Sequence, residues 1–231
     1  MEKEIKVGLV IADGDEFLPL EKMMPSLGAE QVSVAGRRAF DFSLEGCRVT
    51  AVHCGIGKVN AAVAAAALAE KGADILLNVG LSGGISGVRR GELIIPERFL
   101  EHDFDLTGIG YAPCEKPGQE YIYYSDKALC EKLSTVAAAR VFGTAVCGDC
   151  FVSDNDLRDF LKEQFSAATC DMETAAIAYV ASSYKIPFAA LRKVSDDAGN
   201  DAVGDYRELN EKAENELILA VFSLLAEISK N

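Results

Sequence analysis

Residues 167–196 read AATCDMETAAIAYVASSYKIPFAALRKVSD, and this stretch decides the fold. Residues 167–170 are an apolar run that reads as a strand, 174–184 carry helical spacing, and 188–194 are a second apolar run. Strand, helix and strand in close succession form the unit from which parallel sheets are built. Carboxylates stand at both strand ends: Asp171-Met172-Glu173 after the first, and Ser195-Asp196 closing the second behind Arg192-Lys193-Val194. Strand ends of an α/β sheet are where such folds bind ligands. Carboxylates placed there exchange protons and grip hydroxyls. Acids at a helix start also suit the helix dipole with no further role, and that plain reading covers Asp171 and Glu173 taken alone. Two acidic clusters, each at a strand end, favour a site.

The alternation continues upstream. Residues 5–12 read as a buried strand, and helical spacing follows from Glu16, interrupted by Pro19 and Pro25. Residues 31–35 and 38–44 alternate around Gly36 as a hairpin. The strand at 48–54 runs through Gly55-Ile56-Gly57 into an Ala-rich helix, 58–71, that stops at Gly72. The apolar strand 74–80 empties into a loop, Gly80-Leu81-Ser82-Gly83-Gly84. Further on come a short strand at 92–95, a long Gly- and Pro-punctuated loop at 103–119, and aromatic residues 121–124 leading into a helix at 126–137. A strand at 140–147, a helix at 154–164 and a final amphipathic helix at 206–228 complete the pattern. The expected architecture is one α/β domain over residues 1–231, with a mixed, mainly parallel central sheet flanked by helices.

Composition narrows the partners. The 231 residues carry a net charge of −13, with 49% hydrophobic and 26% charged residues, which is globular. So acidic a chain repels phosphate backbones, which argues against nucleic acid and for a small uncharged or cationic ligand. Met1-Glu2-Lys3-Glu4 lacks an apolar signal region and no run approaches a membrane span, so the expected setting is the cytosol, with no membrane contact. Seven cysteines are expected to be reduced thiols. Cys147-Gly148-Asp149-Cys150 has the spacing of half a zinc site or a redox pair, but a second ligand pair is missing and the histidines are only His53 and His102. No metal is expected, and a Ser-His-Asp arrangement is disfavoured.

Three glycine-bearing turns are candidates for chemistry. Gly55-Ile56-Gly57-Lys58 is not a phosphate loop, since the positions that need Gly and Ser or Thr hold Val52 and Val59. It remains a tight turn that lets backbone approach a ligand. The loop at 80–84 offers backbone N–H groups of the kind that hold anions or sugar hydroxyls. In Cys150-Phe151-Val152, Phe151 is suited to stack on a planar base, or simply to fill the core.

Taken in order, GIGKVNAA (55–62), NVGLSGG (78–84), GDCFV (148–152), DMETAAIA (171–178) and RKVSD (192–196) resemble the nucleoside phosphorylase and nucleosidase superfamily. The branch most similar is the 5′-methylthioadenosine/S-adenosylhomocysteine nucleosidases, and the resemblance runs from Val7 to about Leu225. It implies that Asp196, paired with Ser195, protonates N7 of a leaving purine, that Glu173 grips the ribose hydroxyls with Met172 packed on the sugar, and that Glu16 activates the attacking water. It implies further that Phe151 stacks on the base, that the backbone of Val152 reads the base edge, and that the Ile56 turn lies at the substrate. Ile109 and Tyr111 would reach a partner subunit's 5′ pocket in a homodimer, and Tyr206 would close that pocket. No cofactor is implied. Departures are also present. Leu81 stands where these nucleosidases carry Ser, with Ser82 one residue away as a substitute, Asp13 stands where Met is common, and Asp171 replaces a Glu. The implied reaction is hydrolysis of a 5′-modified adenine nucleoside. A phosphorylase, a futalosine-type nucleosidase and a non-catalytic nucleoside-binding protein are the alternatives. The first loop, Ala12-Asp13-Gly14-Asp15-Glu16-Phe17, has no Arg for phosphate, and plain binding needs no acid–base pair.

Overall fold

The computed structural model describes residues 4–210 and 215–230. Met1-Glu2-Lys3 of the charged start lie outside the described residues. In chain order the elements are β1 (Ile5–Ile11), α1 (Gly14–Leu27), β2 (Glu30–Val34), β3 (Arg37–Leu44), β4 (Cys47–His53), α2 (Lys58–Glu70), β5 (Ile75–Gly84), β6 (Leu93–Ile95), β7 (Arg98–Glu101), a 3-10 turn (Thr107–Ile109), β8 (Ile122–Tyr124), α3 (Lys127–Ala137), β9 (Arg140–Val141), β10 (Thr144–Cys147), α4 (Asn155–Phe165), β11 (Ala167–Asp171), α5 (Thr174–Tyr184), β12 (Phe188–Asp196), α6 (Ala202–Asn210) and α7 (Glu216–Ile228). Among the described residues no helix is long and apolar enough to cross a membrane.

The strands join one mixed sheet in the order β2-β3-β4-β1-β5-β11-β10-β7-β8, with β12, β6 and β9 branching from β5. The central pairs β4/β1, β1/β5, β5/β12, β11/β10 and β10/β7 are parallel. Antiparallel pairs include the β2/β3/β4 meander. The period-2 alternation of the strands sorts the core by face. Val7, Leu9, Ile11, Leu77, Ala189 and Leu191 pack with Phe17, Leu20 and Met24 of α1, with α3 and with α7. Val10, Leu76, Phe188 and Ala190 pack on the other side with α2 and α5. Helices therefore cover both faces, as the strand–helix alternation predicts.

Four expectations are corrected. Pro19 and Pro25 do not interrupt α1, which runs unbroken from an Asp13 cap to Gly28 in the left-handed region. A proline inside a helix costs about 3 kcal/mol, and here burial of Phe17, Pro19, Leu20 and Met24 offsets it. The strand expected at 140–147 splits at Gly143 (φ 72°) into β9, which pairs with β6, and β10, which lies between β7 and β11. The helix expected at 206–228 is divided between α6 and α7, with 211–214 outside the described residues. Most consequential, residues 80–84 are not a loop but the second half of β5.

That second half makes the site. β12 follows one edge of β5 from Leu76 to Gly83. On the other edge β1 pairs only as far as Asn78, and β11 joins, antiparallel, at Gly83 and Gly84. Where β1 and β11 part, residues 79–82 lack a strand partner on that edge, and the sheet opens.

Candidate active site

The opening leads to a cavity of about 450 Å³ whose walls include Asp13, Glu16, Ile56, Ser82, Phe151, Val152, Met172, Glu173, Ser195, Asp196 and Tyr206. All but two of the site residues expected from sequence meet here. The exceptions are Ile109 and Tyr111, which lie on the long loop outside this cavity and are exposed by 72% and 38%. A larger, more open groove of about 680 Å³ between β8 and the end of α5 contains none of the expected residues.

Glu16, in the first turn of α1, occupies the gap in the β5 ladder. Its Oε1 accepts the Leu81 N–H at 2.7 Å, and its Oε2 accepts the Asp13 N–H at 3.4 Å. One backbone donor orphaned by the parting strands is thus satisfied by a side chain. The carboxylate lies deep in the protein, and burial, assisted by Glu173 and Asp13, pushes its pKa up to about 7 against the opposing pull of Arg192 and the Leu81 N–H. A carboxylate that titrates there is poised to take a proton near neutrality.

Beneath it lies Arg192 of β12, 1% exposed. Its Nη2 donates to Asn78 Oδ1 at 2.7 Å, and Asn78 Nδ2 in turn donates to the Val10 carbonyl at 2.8 Å. Its Nε stands 3.6 Å from Asp171 Oδ2 and its Nη2 3.9 Å from Glu173 Oε2. Arg192 lies directly across from Gly80 in the ladder. A Cβ at residue 80 would come within 2.3 Å of Arg192 Nη1 and 2.9 Å of Glu16 Oε2. The glycine thus admits side chains to the strand; it does not cradle a phosphate in a loop.

Glu173 sits at the start of α5 but caps nothing with its side chain. Its Oε1 accepts the Gly57 N–H at 2.9 Å, at the amino end of α2. Gly57 holds φ at 98°, which favours glycine. Burial and the neighbouring Asp171 raise the Glu173 pKa, and Arg192 and the Gly57 N–H oppose them. Asp171 is the acid that serves the helix start. It accepts from the Glu173 and Thr174 N–H groups and from the Thr174 hydroxyl.

Asp196 ends β12 at a bulge, where the register shifts between Val194 and Asp196 and leaves Ser195 as the extra residue. The Ser195 hydroxyl donates to Asp196 Oδ2 at 2.6 Å, and the Ala198 N–H donates to Oδ1 at 2.8 Å. Burial raises the Asp196 pKa, Asp197 and Asp205 add to the rise, and those two hydrogen bonds work against it. Ser82 touches this acid only indirectly: its carbonyl accepts from Ser195 at 3.2 Å, and its own hydroxyl is buried without a partner among the described residues. The hydroxyl expected to substitute for the missing Ser at 81 is therefore not the one on Asp196.

Phe151 is 43% exposed, and its ring meets that of Tyr206 edge to face at 5.5 Å. Tyr206, on α6, donates its hydroxyl to Asp13 Oδ2 at 3.3 Å. Two participants had no assigned role in the sequence reading: Arg192 and the Gly57 amide. The Arg192-Lys193 pair behind the apolar run Phe188–Leu191 was the available signal for the first. Cys147 is buried and Cys150 exposed, both as free thiols.

Known proteins share this arrangement of elements. A sequence model of the phosphorylase superfamily matches residues 6–228. A 5′-methylthioadenosine/S-adenosylhomocysteine nucleosidase of Geobacillus kaustophilus is 32% identical, with 96% of this chain and 98% of that protein covered. The crystal structure of the nucleosidase of that name from Neisseria meningitidis, in complex with methylthio-immucillin-A, superposes with a TM-score of 0.88 at 31% identity, covering 96% of this chain and 99% of that one. Futalosine hydrolase of Helicobacter pylori, 22% identical over 96% of this chain and 98% of its own, shares the fold with a TM-score of 0.89.

Proposed function

The chain belongs to the phosphorylase superfamily, and on that premise we propose that it hydrolyses the N-glycosidic bond of a 5′-modified adenine nucleoside such as 5′-methylthioadenosine or S-adenosylhomocysteine, releasing adenine and a 5-thioribose derivative. The observation that carries hydrolysis over phosphorolysis is the charge of the pocket. Asp13, Glu16, Asp171, Glu173 and Asp196 line it, and no Lys or Arg is among the described lining residues. A phosphate dianion would be repelled there, and water is not.

The C1′–N9 bond breaks through an oxocarbenium-like state, as in glycoside hydrolysis. Its electron pair goes to the purine, whose N7 takes a proton from Asp196. Water adds to C1′ and yields its proton to Glu16. The raised pKa values suit both groups: the rise favours the protonated form of Asp196, and Glu16 sits near neutrality to accept a proton. Glu173, anchored by the Gly57 amide, holds the ribose hydroxyls, with Met172 against the sugar. Phe151 stacks on adenine, and the Val152 backbone reads its edge. Arg192 serves as the buried counter-charge of the acids.

A polar 5′ group is a second reading, favoured by the Asp13–Tyr206 hydrogen bond in the pocket wall. One assay separates these readings: a panel of purine nucleosides with apolar and polar 5′ groups, with and without phosphate, analysed for base and sugar. Free adenine and free sugar, indifferent to phosphate, are expected. A sugar 1-phosphate formed in phosphate buffer would overturn hydrolysis. Asp196→Asn should lose about 10²–10⁴-fold in rate with the fold kept; a wild-type rate would remove Asp196 from its role.

The reading includes a homodimer in which the 103–119 loop of one protomer covers its partner's 5′ pocket with Ile109 and Tyr111. Their exposure supports it, together with that of Ile56 and Val59 beside the cavity.

A further inference from the structure

Outside the cavity a set of charged groups is centred on Lys58, and the chemistry above does not use it. Lys58 Nζ lies 3.0 Å from Glu101 Oε2 and 2.5 Å from Asp103 Oδ1. The other oxygen of Asp103 accepts the Asp149 N–H at 2.9 Å. Asp149 Oδ1 accepts the backbone N–H of Lys58 at 2.8 Å. These three bonds close a ring through Lys58, Asp103 and Asp149. Glu101 is also held by Lys116.

The ring touches the pocket at two points. Asp149 stands two residues before Phe151, in the segment that carries the proposed base platform. Lys58 follows Gly57, whose N–H holds Glu173. The first two amides of the α2 start thus grip one carboxylate from each half of the site, where the helix dipole favours negative charge. The approach is close: a Cβ at Gly57 would lie 3.1 Å from Asp149 Oδ1. Asp149 without Asp103 would have its amide unpaired, and Asp103 without Lys58 would face Asp149 as a bare negative charge.

We propose that Lys58 is a positioning residue for this reaction. Its ammonium closes the ring that fixes the Phe151–Val152 platform relative to the Glu173 carboxylate, so that base and ribose are held at one spacing. The inference rests on the nucleosidase reading for its kinetic arm only. Base and ribose contacts are made in ground and transition states alike, so loosening them acts on KM more than on kcat.

The test compares wild type, Lys58→Met and Lys58→Arg. Hydrogen–deuterium exchange across residues 148–152 needs no substrate. It should speed up in Lys58→Met, stay unchanged in α7, and return towards wild type in Lys58→Arg. With methylthioadenosine, Lys58→Met should lower kcat/KM about 10- to 100-fold, carried by KM, with most of the loss recovered in Lys58→Arg. Mere destabilisation would instead lower apparent kcat at constant KM, through fewer active molecules, and would overturn the proposal. Unchanged exchange at 148–152 would overturn it as well, as would faster exchange with unaltered KM. Should Lys58→Met fail to fold, Asp103→Asn, which keeps shape and removes the charge, carries the same two readouts. A wild type that cleaves no adenine nucleoside would sink the nucleosidase reading, and the exchange arm would still decide whether the clamp exists.

Discussion

Glu16 bears two conflicting demands. As a carboxylate it fills a backbone gap, and as the proposed base it must ionise in a buried, acidic place. Its pKa of about 7 against an ordinary 4.5 measures the conflict. The sign follows directly. The unfolded chain releases this proton near 4.5 and the fold holds it until about 7, so stability associated with the proton is present below 4.5 and lost as pH rises through 7. Glu16→Gln removes the penalty. The variant is expected to be more stable than wild type at pH 8, by on the order of 1–3 kcal/mol, with the gain vanishing near pH 4.5 and with activity largely lost. Denaturant melts at the two pH values check it; a variant less stable at pH 8 would contradict the burial argument. At this scale the acids were legible in the sequence, since carboxylates at strand ends stand out among apolar neighbours. Arg192 was not given its role, because its partners Asn78, Leu81, Asp171 and Glu173 come from two other segments and only the folded sheet assembles them. The Gly57 amide was illegible in principle, since a main-chain donor has no letter of its own.

Among the elements, long periodic segments were readable and the exceptions within the sheet have one cause. Local rules were overridden by what lies across the sheet. Glycines at 80, 83 and 84 looked like a loop because glycine weakens strands. In place they admit Arg192, Cys170 and Val194 side chains that a Cβ would meet at 2.3, 2.9 and 2.9 Å. The strand β7 was missed, and β9 and β10 were merged, because pairing partners distant in sequence decide where such short strands begin. The bulge at Ser195 was equally invisible, being a register mismatch between two strands. From this packing follows a prediction for β5. Gly80→Ala should destabilise the protein by about 1–3 kcal/mol, as overpacking does, and should reduce kcat by more than its stability loss explains, because Arg192 and Glu16 must both move. Parallel measurement of unfolding and turnover tests this; near-wild-type values for both would mean that the strand gives way easily.

At the scale of the molecule, the −13 charge and the exposed apolar residues act in opposite directions. Charge keeps copies apart, and Ile109, Tyr111, Ile56 and Val59 favour contact. The proposed dimer makes the second effect dominant, with salt screening the first. Sedimentation at micromolar concentration should show a dimer, and Ile109→Asp should yield monomer with activity falling in step. A fully active wild-type monomer would end the shared-pocket reading. The anchor of Glu16 bears on how such a protein can change over generations. The partner of Glu16 in β5 is the N–H of residue 81, not a side chain. A main-chain amide survives every point substitution except proline. The side chain at position 81 can therefore change without removing the donor that holds Glu16. Mutational robustness is built into the anchor.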